Sequence, residues 1–390
     1  MFENKKHHLG IDIGAGGIKL VELRLEKGRP VLFTYGMTRD THDIHSIIPD
    51  RKSSTLAKEP QGVAKESTLD AEKVPKQEIS AETQQKIDKY ASQISLLCKH
   101  SRTATKNAVV SLPVSSVFHA IVTLPALEKP DQLKRMVESE VGKFVPFSLN
   151  EMALDYQVLS SEQEIMKNKS QRILVNAVPN ELIVFYTSIF QKAGLQLISL
   201  EPESSALSRS LVGRDSSVVM LIDIGAQRTN FFIIKDSVPI THQSIDFGGN
   251  KIDRIIQNIL GVEDQMIFNL KSDLFNYWSN TINSDIEVGE RAISIFSPVI
   301  EPMIKEIELN LDLYSRQIEE SDKKVEKIIL TGGTSFLPFF PEYVSKVFKT
   351  KCYIGDPWAR VVYQQPLKKL LGKNAPGMAV AIGLALRDMV

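Results

Sequence analysis

Ile11-Asp12-Ile13-Gly14-Ala15 recurs letter for letter as Ile222-Asp223-Ile224-Gly225-Ala226, each time with strand-forming sequence on both sides. After the first copy, Val21, Leu23 and Leu25 alternate with Glu22 and Arg24, the period of a half-buried strand. After the second, Phe231, Phe232, Ile233 and Ile234 are dense in residues that favour strands. Both copies therefore read as strand, turn, strand. A dinucleotide fingerprint also offers Gly14-x-Gly16, but it must open a helix and needs a third glycine where Lys19 stands. A phosphate loop fails too, because no GxxxxGK[ST] occurs in the chain. What a doubled Asp-x-Gly turn can do is chemical. Glycine lets the backbone approach a ligand and aim successive N–H groups into one concavity, which suits phosphate oxygens. The aspartate at the strand end can hold Mg²⁺ through water, since Mg²⁺ dehydrates reluctantly. Two such turns on facing lobes would grip a triphosphate from both sides; two unrelated hairpins with turn-forming Asp and Gly are the plain alternative.

A third stretch favours the first reading. Lys327-Ile-Ile-Leu-Thr-Gly-Gly-Thr-Ser-Phe-Leu-Pro338 places Gly332-Gly333 where a buried strand meets a helix, so a nucleoside or its first phosphate can lie against bare backbone at a helix N-terminus. The order is then hairpin, insertion, hairpin, helices, Gly-Gly strand end, final helix.

The remainder of the chain fits around these three motifs. At 390 residues, 43% hydrophobic and 24% charged, it has material for at least two cores that share a surface. Lys+Arg and Asp+Glu both count 47, so no global field draws the chain to nucleic acid or to an acidic membrane. Cys98 and Cys352 lie far apart without a CxxC or a histidine cluster, which argues against zinc and disulfides and for a reducing cytoplasm. No apolar run approaches the roughly 18 residues of a membrane span, and Met1 to His8 opens no signal peptide. Any membrane role is expected to come through a partner.

Six segments are expected: 1–50, a first lobe with the first hairpin; 51–80, a polar low-complexity surface loop; 81–178, an inserted α+β subdomain; 179–212, a return to the first lobe; 213–375, a second lobe, helical over about 249–320; and 376–390, a closing helix. Within the helical part, Ile300, Ile304, Ile307, Leu311, Tyr314 and Ile318 make one apolar face.

With these motifs in order, the sequence resembles the actin, Hsp70 and sugar-kinase superfamily: Asp12 to Lys19 its first phosphate motif, Asp223 to Thr229 its second, Leu330 to Pro338 its adenosine motif. The insertion after the first hairpin is similar to the FtsA-like branch. Within that branch, several segments resemble the PilM family of type IV pilus assembly proteins: His8 to Leu23, Val145-Pro-Phe-Ser-Leu-Asn-Glu with Leu154-Asp-Tyr-Gln-Val, Ala177-Val-Pro-Asn-Glu, Phe247-Gly-Gly-Asn250 and Ala375 to Leu386. The likeness spans nearly the whole chain except roughly 40–80.

The resemblance implies an α/β, actin-like duplicated ribonuclease-H-like fold of two lobes with an FtsA-type inserted α+β subdomain. It implies ATP and Mg²⁺ as ligands. Gly14, Ala15, Gly16, Gly17 and Lys19 with Gly225, Ala226, Gln227, Arg228 and Thr229 would surround the β- and γ-phosphates, and Asp12 and Asp223 would reach the metal through water. Gly248 and Gly249 would lie near the α-phosphate and ribose, and Lys271 matches a ribose-binding lysine. Gly332, Gly333 and Thr334 would face the nucleoside, Phe336 the base, and Glu201 would position an attacking water. Two departures stand out: the first turn has no serine, and Phe268 stands where relatives carry the carboxylate of a Glu-x-x-Lys pair.

The implied function is an ATP-binding scaffold of a type IV pilus inner-membrane platform, serving twitching motility or competence. It would be cytoplasmic and peripheral to the membrane, hold the cytoplasmic N-terminal tail of a PilN-like protein, and neighbour pilus assembly ATPases and other platform proteins. Phe144, Val145, Pro146 and Phe147 would edge the groove, or pack in the core. The rivals are a hydrolysing ATPase or kinase of the superfamily and an FtsA-like filament former, which adds an amphipathic C-terminal anchor not seen at Arg387-Asp-Met-Val390.

Overall fold

The structure, a computed structural model, describes residues 6–40, 80–126, 129–145, 148–263, 293–317, 324–337 and 340–389, with 266, 267, 270 and 273 besides. Its organising fact is that one sheet is built twice. The first has the order β3-β2-β1-β4-β8, from β1 (His7–Gly14), β2 (Gly17–Glu26), β3 (Arg29–Met37), β4 (Asn107–Leu112) and β8 (Gln196–Pro202). The second runs β11-β10-β9-β12-β13, from β9 (Val219–Ile224), β10 (Thr229–Lys235), β11 (Val238–Ile245), β12 (Lys327–Thr331) and β13 (Lys351–Ile354). Each has three antiparallel strands continued by two parallel ones. This duplicated ribonuclease-H-like plan is the two-lobed actin-like architecture, and the repeated pentapeptide ends the same strand, β1 or β9, in both copies.

Side chains explain why these strands are central. Every residue of β9 is buried, as a strand covered on both faces requires. On β1, Leu9, Ile11 and Ile13 pack with Ile87, Tyr90 and Ile94 of α1 (Ala81–Ser101) and Leu182, Phe185 and Ile189 of α4 (Asn180–Lys192). The second lobe buries Ile222, Ile224 and Phe231 against Ile252 and Ile256 of α6 (Gly249–Leu260) and Val299, Ile300, Ile307 and Tyr314 of α7 (Ser297–Gln317). Ile304 and Leu311 of the expected apolar face are partly buried there, and residue 318 lies outside the described residues. Phe340 and Val344 of α8 (Phe340–Phe348) complete that core.

Between the sheets lie α5 (Glu203–Leu207) and α10 (Ala379–Ala385). Ala206, Leu207, Val380 and Leu384 share a cluster with Val219, Leu221 and Phe232 of the second sheet. The approach is so close that a Cβ on Gly383 would meet the Ala206 carbonyl oxygen, and one on Gly10 of β1 would sit 2.6 Å from the Ala385 nitrogen.

The insertion is narrower than 81–178. β4 pairs with β1 and β8, and α1 packs on α4, so both belong to the first lobe. Residues Ala108 to Leu112 are all buried, as a central parallel strand demands and a two-layer insertion does not. The inserted subdomain proper is the antiparallel sheet β5-β7-β6, formed by β5 (Phe118–Pro125), β6 (Met152–Val158) and β7 (Ser170–Pro179). Leu133, Val137 and Val141 of α2 (Pro130–Val141) cover it, and α3 (Glu162–Asn168) is started by a Ser161–Glu164 capping box. Apart from 80, the proposed 51–80 loop lies outside the described residues.

Candidate functional site

The two copies of the pentapeptide make turns of different length. Gly14 pairs with Gly17, leaving a two-residue turn at Ala15-Gly16, whereas Ile224 pairs with Thr229 and leaves four residues, Gly225 to Arg228. The turns face each other across the cleft. Gly16 is exposed, and a Cβ placed on it would lie 3.1 Å from that of Ala226.

The second turn is buttressed from two directions. At the start of α6, the Gly249 N–H donates to the Gly225 carbonyl (2.8 Å) and the Asn250 N–H to that of Ala226 (2.7 Å). From the segment after β12, the Thr334 N–H donates to the Ile224 carbonyl at 3.1 Å. Between them Gly332 has φ +92°, and a Cβ there would meet Asp223 Oδ1 at 2.5 Å, so only glycine fits at this strand end. Gly225 to Thr229, Gly248-Gly249 and Gly332 to Thr334 thus converge on one place opposite Gly16. Gly333 is exposed and Phe336 half-buried at the end of this segment. Lys271 and Phe268 lie outside the described residues.

Behind the turns sits a buried charged cluster. Asp12 accepts from the Lys19 ammonium at 3.2 Å and from the Ser111 hydroxyl at 2.8 Å. Lys19 stands opposite Asp12 in the β1–β2 ladder, and Asn230 stands opposite Asp223 in the β9–β10 ladder. One aspartate therefore meets a cation and the other an amide. Burial works to lower the Lys19 pKa, but the Asp12 carboxylate outweighs it and the ammonium is held charged. Burial and the Asp12 charge push Asp223 up to about 6, against the pull of Lys19 and the Asn230 hydrogen bond.

Glu201 is not part of this cluster. Arg209 takes both its oxygens, at 3.1 and 2.7 Å, and also donates to the Gly383 carbonyl. Arg209 lies in a π-turn, Ser208–Val212, that continues α5. The carboxyl facing the aspartates is Glu203, two residues on. It is raised well above the usual carboxylate range by burial and then by Asp12 and Asp223. The Val114 N–H (3.4 Å) and the Asn230 amide (3.5 Å) donate to it. Pro202 ends β8 and starts α5, and the first residue of the helix turns inward. Asn230 extends the contacts outward: Ser244 donates to its Oδ1 at 2.7 Å and Arg228 to the Ser244 hydroxyl at 3.0 Å.

The sequence reading passed over Glu203 and Asn230. Asn230 had a signal, since it follows its aspartate at the same interval as Lys19. Among the described residues no three His, Cys, Asp or Glu side chains converge closely enough to hold an ion. Asp12, Asp223 and Glu203 are the carboxyls behind the turns that would hold a hydrated cation. Of the apolar run after α2, Phe144 is exposed, Val145 is in the subdomain core, and 146–147 lie outside the described residues. Among the described residues no helix is long and apolar enough to cross a membrane.

Comparison with known proteins agrees with this architecture. The chain is similar to a solved PilM-PilN type IV pilus biogenesis complex, with 20% identity over 98% of both chains and a TM-score of 0.72. It also matches the ethanolamine utilization protein EutJ from Carboxydothermus hydrogenoformans (14% identity, 98% and 89% of the chains, TM-score 0.48). MreB 5 of Spiroplasma citri bound to AMPPNP matches at 11% identity, 98% and 96% coverage and TM-score 0.44. The family model of the type IV pilus assembly protein PilM matches residues 54–389, beginning after the first hairpin and taking in most of the polar stretch set apart above. With a match over most of its length, the chain belongs to the type IV pilus assembly protein PilM family.

Proposed function

We propose that the chain is an ATP-binding, actin-like scaffold of a type IV pilus inner-membrane platform, in which Mg-ATP holds the two lobes together and a PilN-like protein docks its cytoplasmic N-terminal tail. The observation that carries the nucleotide reading is the pair of facing turns, Gly16 against Ala226, with Asp12, Asp223 and Glu203 behind them. Triphosphate oxygens suit the backbone N–H groups of two opposed turns. A hydrated Mg²⁺ bound with ATP offsets the carboxylates and shields the phosphates from them. Because the turns belong to different sheets, a ligand touching both favours one lobe arrangement, and a partner tail then senses its population. The likeness to a solved PilM-PilN complex supports a partner of that kind. Anchoring through that partner would place the chain on the cytoplasmic face of the inner membrane.

The test is thermal melting with and without Mg-ATP, on wild type and on Asp223→Ala. A rise with ATP that the variant loses supports the reading; equal shifts in both proteins reject the site. A second reading, slow ATP hydrolysis, is favoured by Glu203, a buried carboxyl beside Asp12 and Asp223 that could act on a water if the phosphates lie between the turns. Phosphate release that disappears in Glu203→Gln and persists in Glu201→Gln supports it.

A further inference from the structure

Between the inserted subdomain and the second lobe lies a contact that the nucleotide reading does not use. His119 on β5 and His242 on β11 stack face to face, with ring centroids 3.7 Å apart and planes 10° from parallel. His119 stands opposite Asn176 in the β5–β7 ladder, and its Nδ1–H donates to the Asn176 side-chain oxygen at 2.9 Å. That bond leaves Nε2 the bare nitrogen of a neutral ring. His119 Nε2 and both nitrogens of His242 are buried and make no hydrogen bond among the described residues. The ring of Phe232 closes over His242 edge-on, 5.1 Å away.

Such a stack is compatible with neutral rings only. A second proton would put two like charges face to face in an apolar setting, and even one leaves a buried cation short of partners. Beyond the Asn176 oxygen and the Pro239 carbonyl, which favour the charged form of His119, the surroundings offer nothing to offset it. On β5 and β11 the two histidines are the only titratable residues, and the 3₁₀ turn Val114–Ser116, which packs on β11, has none. β7 brings Asn176, with Arg172 further along opposite Thr123. β10 brings Phe232, and Lys235 at its end acts on Glu164 of α3. α5 brings Glu203, which is taken by the Val114 N–H and Asn230. Burial accordingly lowers the proton affinity of both rings, though Asn176 and the Pro239 carbonyl pull that of His119 back up.

We propose that the His119–His242 stack is a proton-operated latch, which holds the inserted subdomain against the second lobe while both rings are neutral and releases it when either is protonated. The latch needs no nucleotide and stands whether or not the cleft binds one. Its position gives it reach: Ser244, two residues along β11, is the hydroxyl that joins Arg228 of the second turn to Asn230.

The experiment is a spin-label distance measurement between Met166→Cys on α3 and Leu260→Cys on α6, both exposed, with the native Cys98 and Cys352 buried. At pH 7.5 one narrow distribution is expected. Toward pH 5.5 a longer population should appear, growing about tenfold per pH unit while opening takes up one proton. The double variant His119→Phe/His242→Phe keeps two stacked rings and should stay closed at both values. A wild type with the same distribution at both pH values, or a variant that opens equally, overturns the latch. If the double variant does not fold, the wild-type ring titration by histidine C2 proton NMR decides. Both rings should take up protons only below the pH at which a histidine in an unstructured peptide does; titration at the peptide's value overturns the proposal.

Discussion

Asp12 and Asp223 sit in identical pentapeptides, yet their settings differ by one side chain across the ladder, Lys19 against Asn230. Asp223, lacking its own cation, is protonated up to about pH 6 in the folded chain. Between the usual carboxylate value and 6 the folded state holds a proton that the unfolded state releases. Stability from this group therefore falls as pH rises through that window and is level above it, a loss of about 3 kcal/mol for a two-unit difference. Denaturant melts at pH 4.5 and 7 should show this decline in wild type and its removal in Asp223→Asn. The two glutamates separate by the same logic. Glu201→Gln leaves the partly buried Arg209 with half its fork unmatched and should cost about 2 kcal/mol in denaturant melts. Glu203→Gln removes a buried acid set against Asp12 and Asp223 and should leave stability unchanged or raised, while altering the response to Mg-ATP. Asp12→Ala and Asp223→Ala should each abolish an ATP-dependent stabilisation of about 2.7 kcal/mol at a hundred times Kd, read as a melting shift.

At the scale of elements, what the sequence made legible follows burial. β1, β2, β9, β10 and β12 announce themselves because apolar alternation or a continuous apolar run survives wherever one or both faces are covered. The edge strands β3 and β11 mix half-buried and exposed positions and are interrupted by Pro30 and Pro239, so no period stands out. β4 was legible as a strand but not as a member of the first sheet, because pairing across the chain leaves no local mark. The π-turn at Ser208–Val212 had no sequence cue, and it is what presents Arg209 to Glu201 and so separates that glutamate from the site. The small residues of α10 were readable as close packing, and the structure shows against what. Gly383→Ala drives a Cβ into the Ala206 carbonyl and should destabilise by about 2 kcal/mol or more. Gly372→Ala in α9 (Lys368–Asn374) meets open space and should be neutral or stabilise by about 0.5–1 kcal/mol. Paired thermal melts check both.

Across the whole molecule, two equivalent sheets enclose α5 and α10, and the inserted subdomain reaches over to β11 of the second lobe. A ligand bound between the turns and a partner bound on the subdomain would therefore be joined through packed elements with few loops between them. The coupling between two such sites is commonly worth a factor of about 5–150 in affinity and is reciprocal. The most direct test is calorimetric titration of the N-terminal cytoplasmic peptide of the cognate PilN-like protein into the full chain, with and without saturating Mg-ATP. Saturable one-to-one binding is expected, with an affinity that changes at least about fivefold with Mg-ATP in wild type and not in Asp223→Ala. A peptide that gives no binding under either condition contradicts the scaffold reading, and equal affinity with and without Mg-ATP contradicts the nucleotide's part in it.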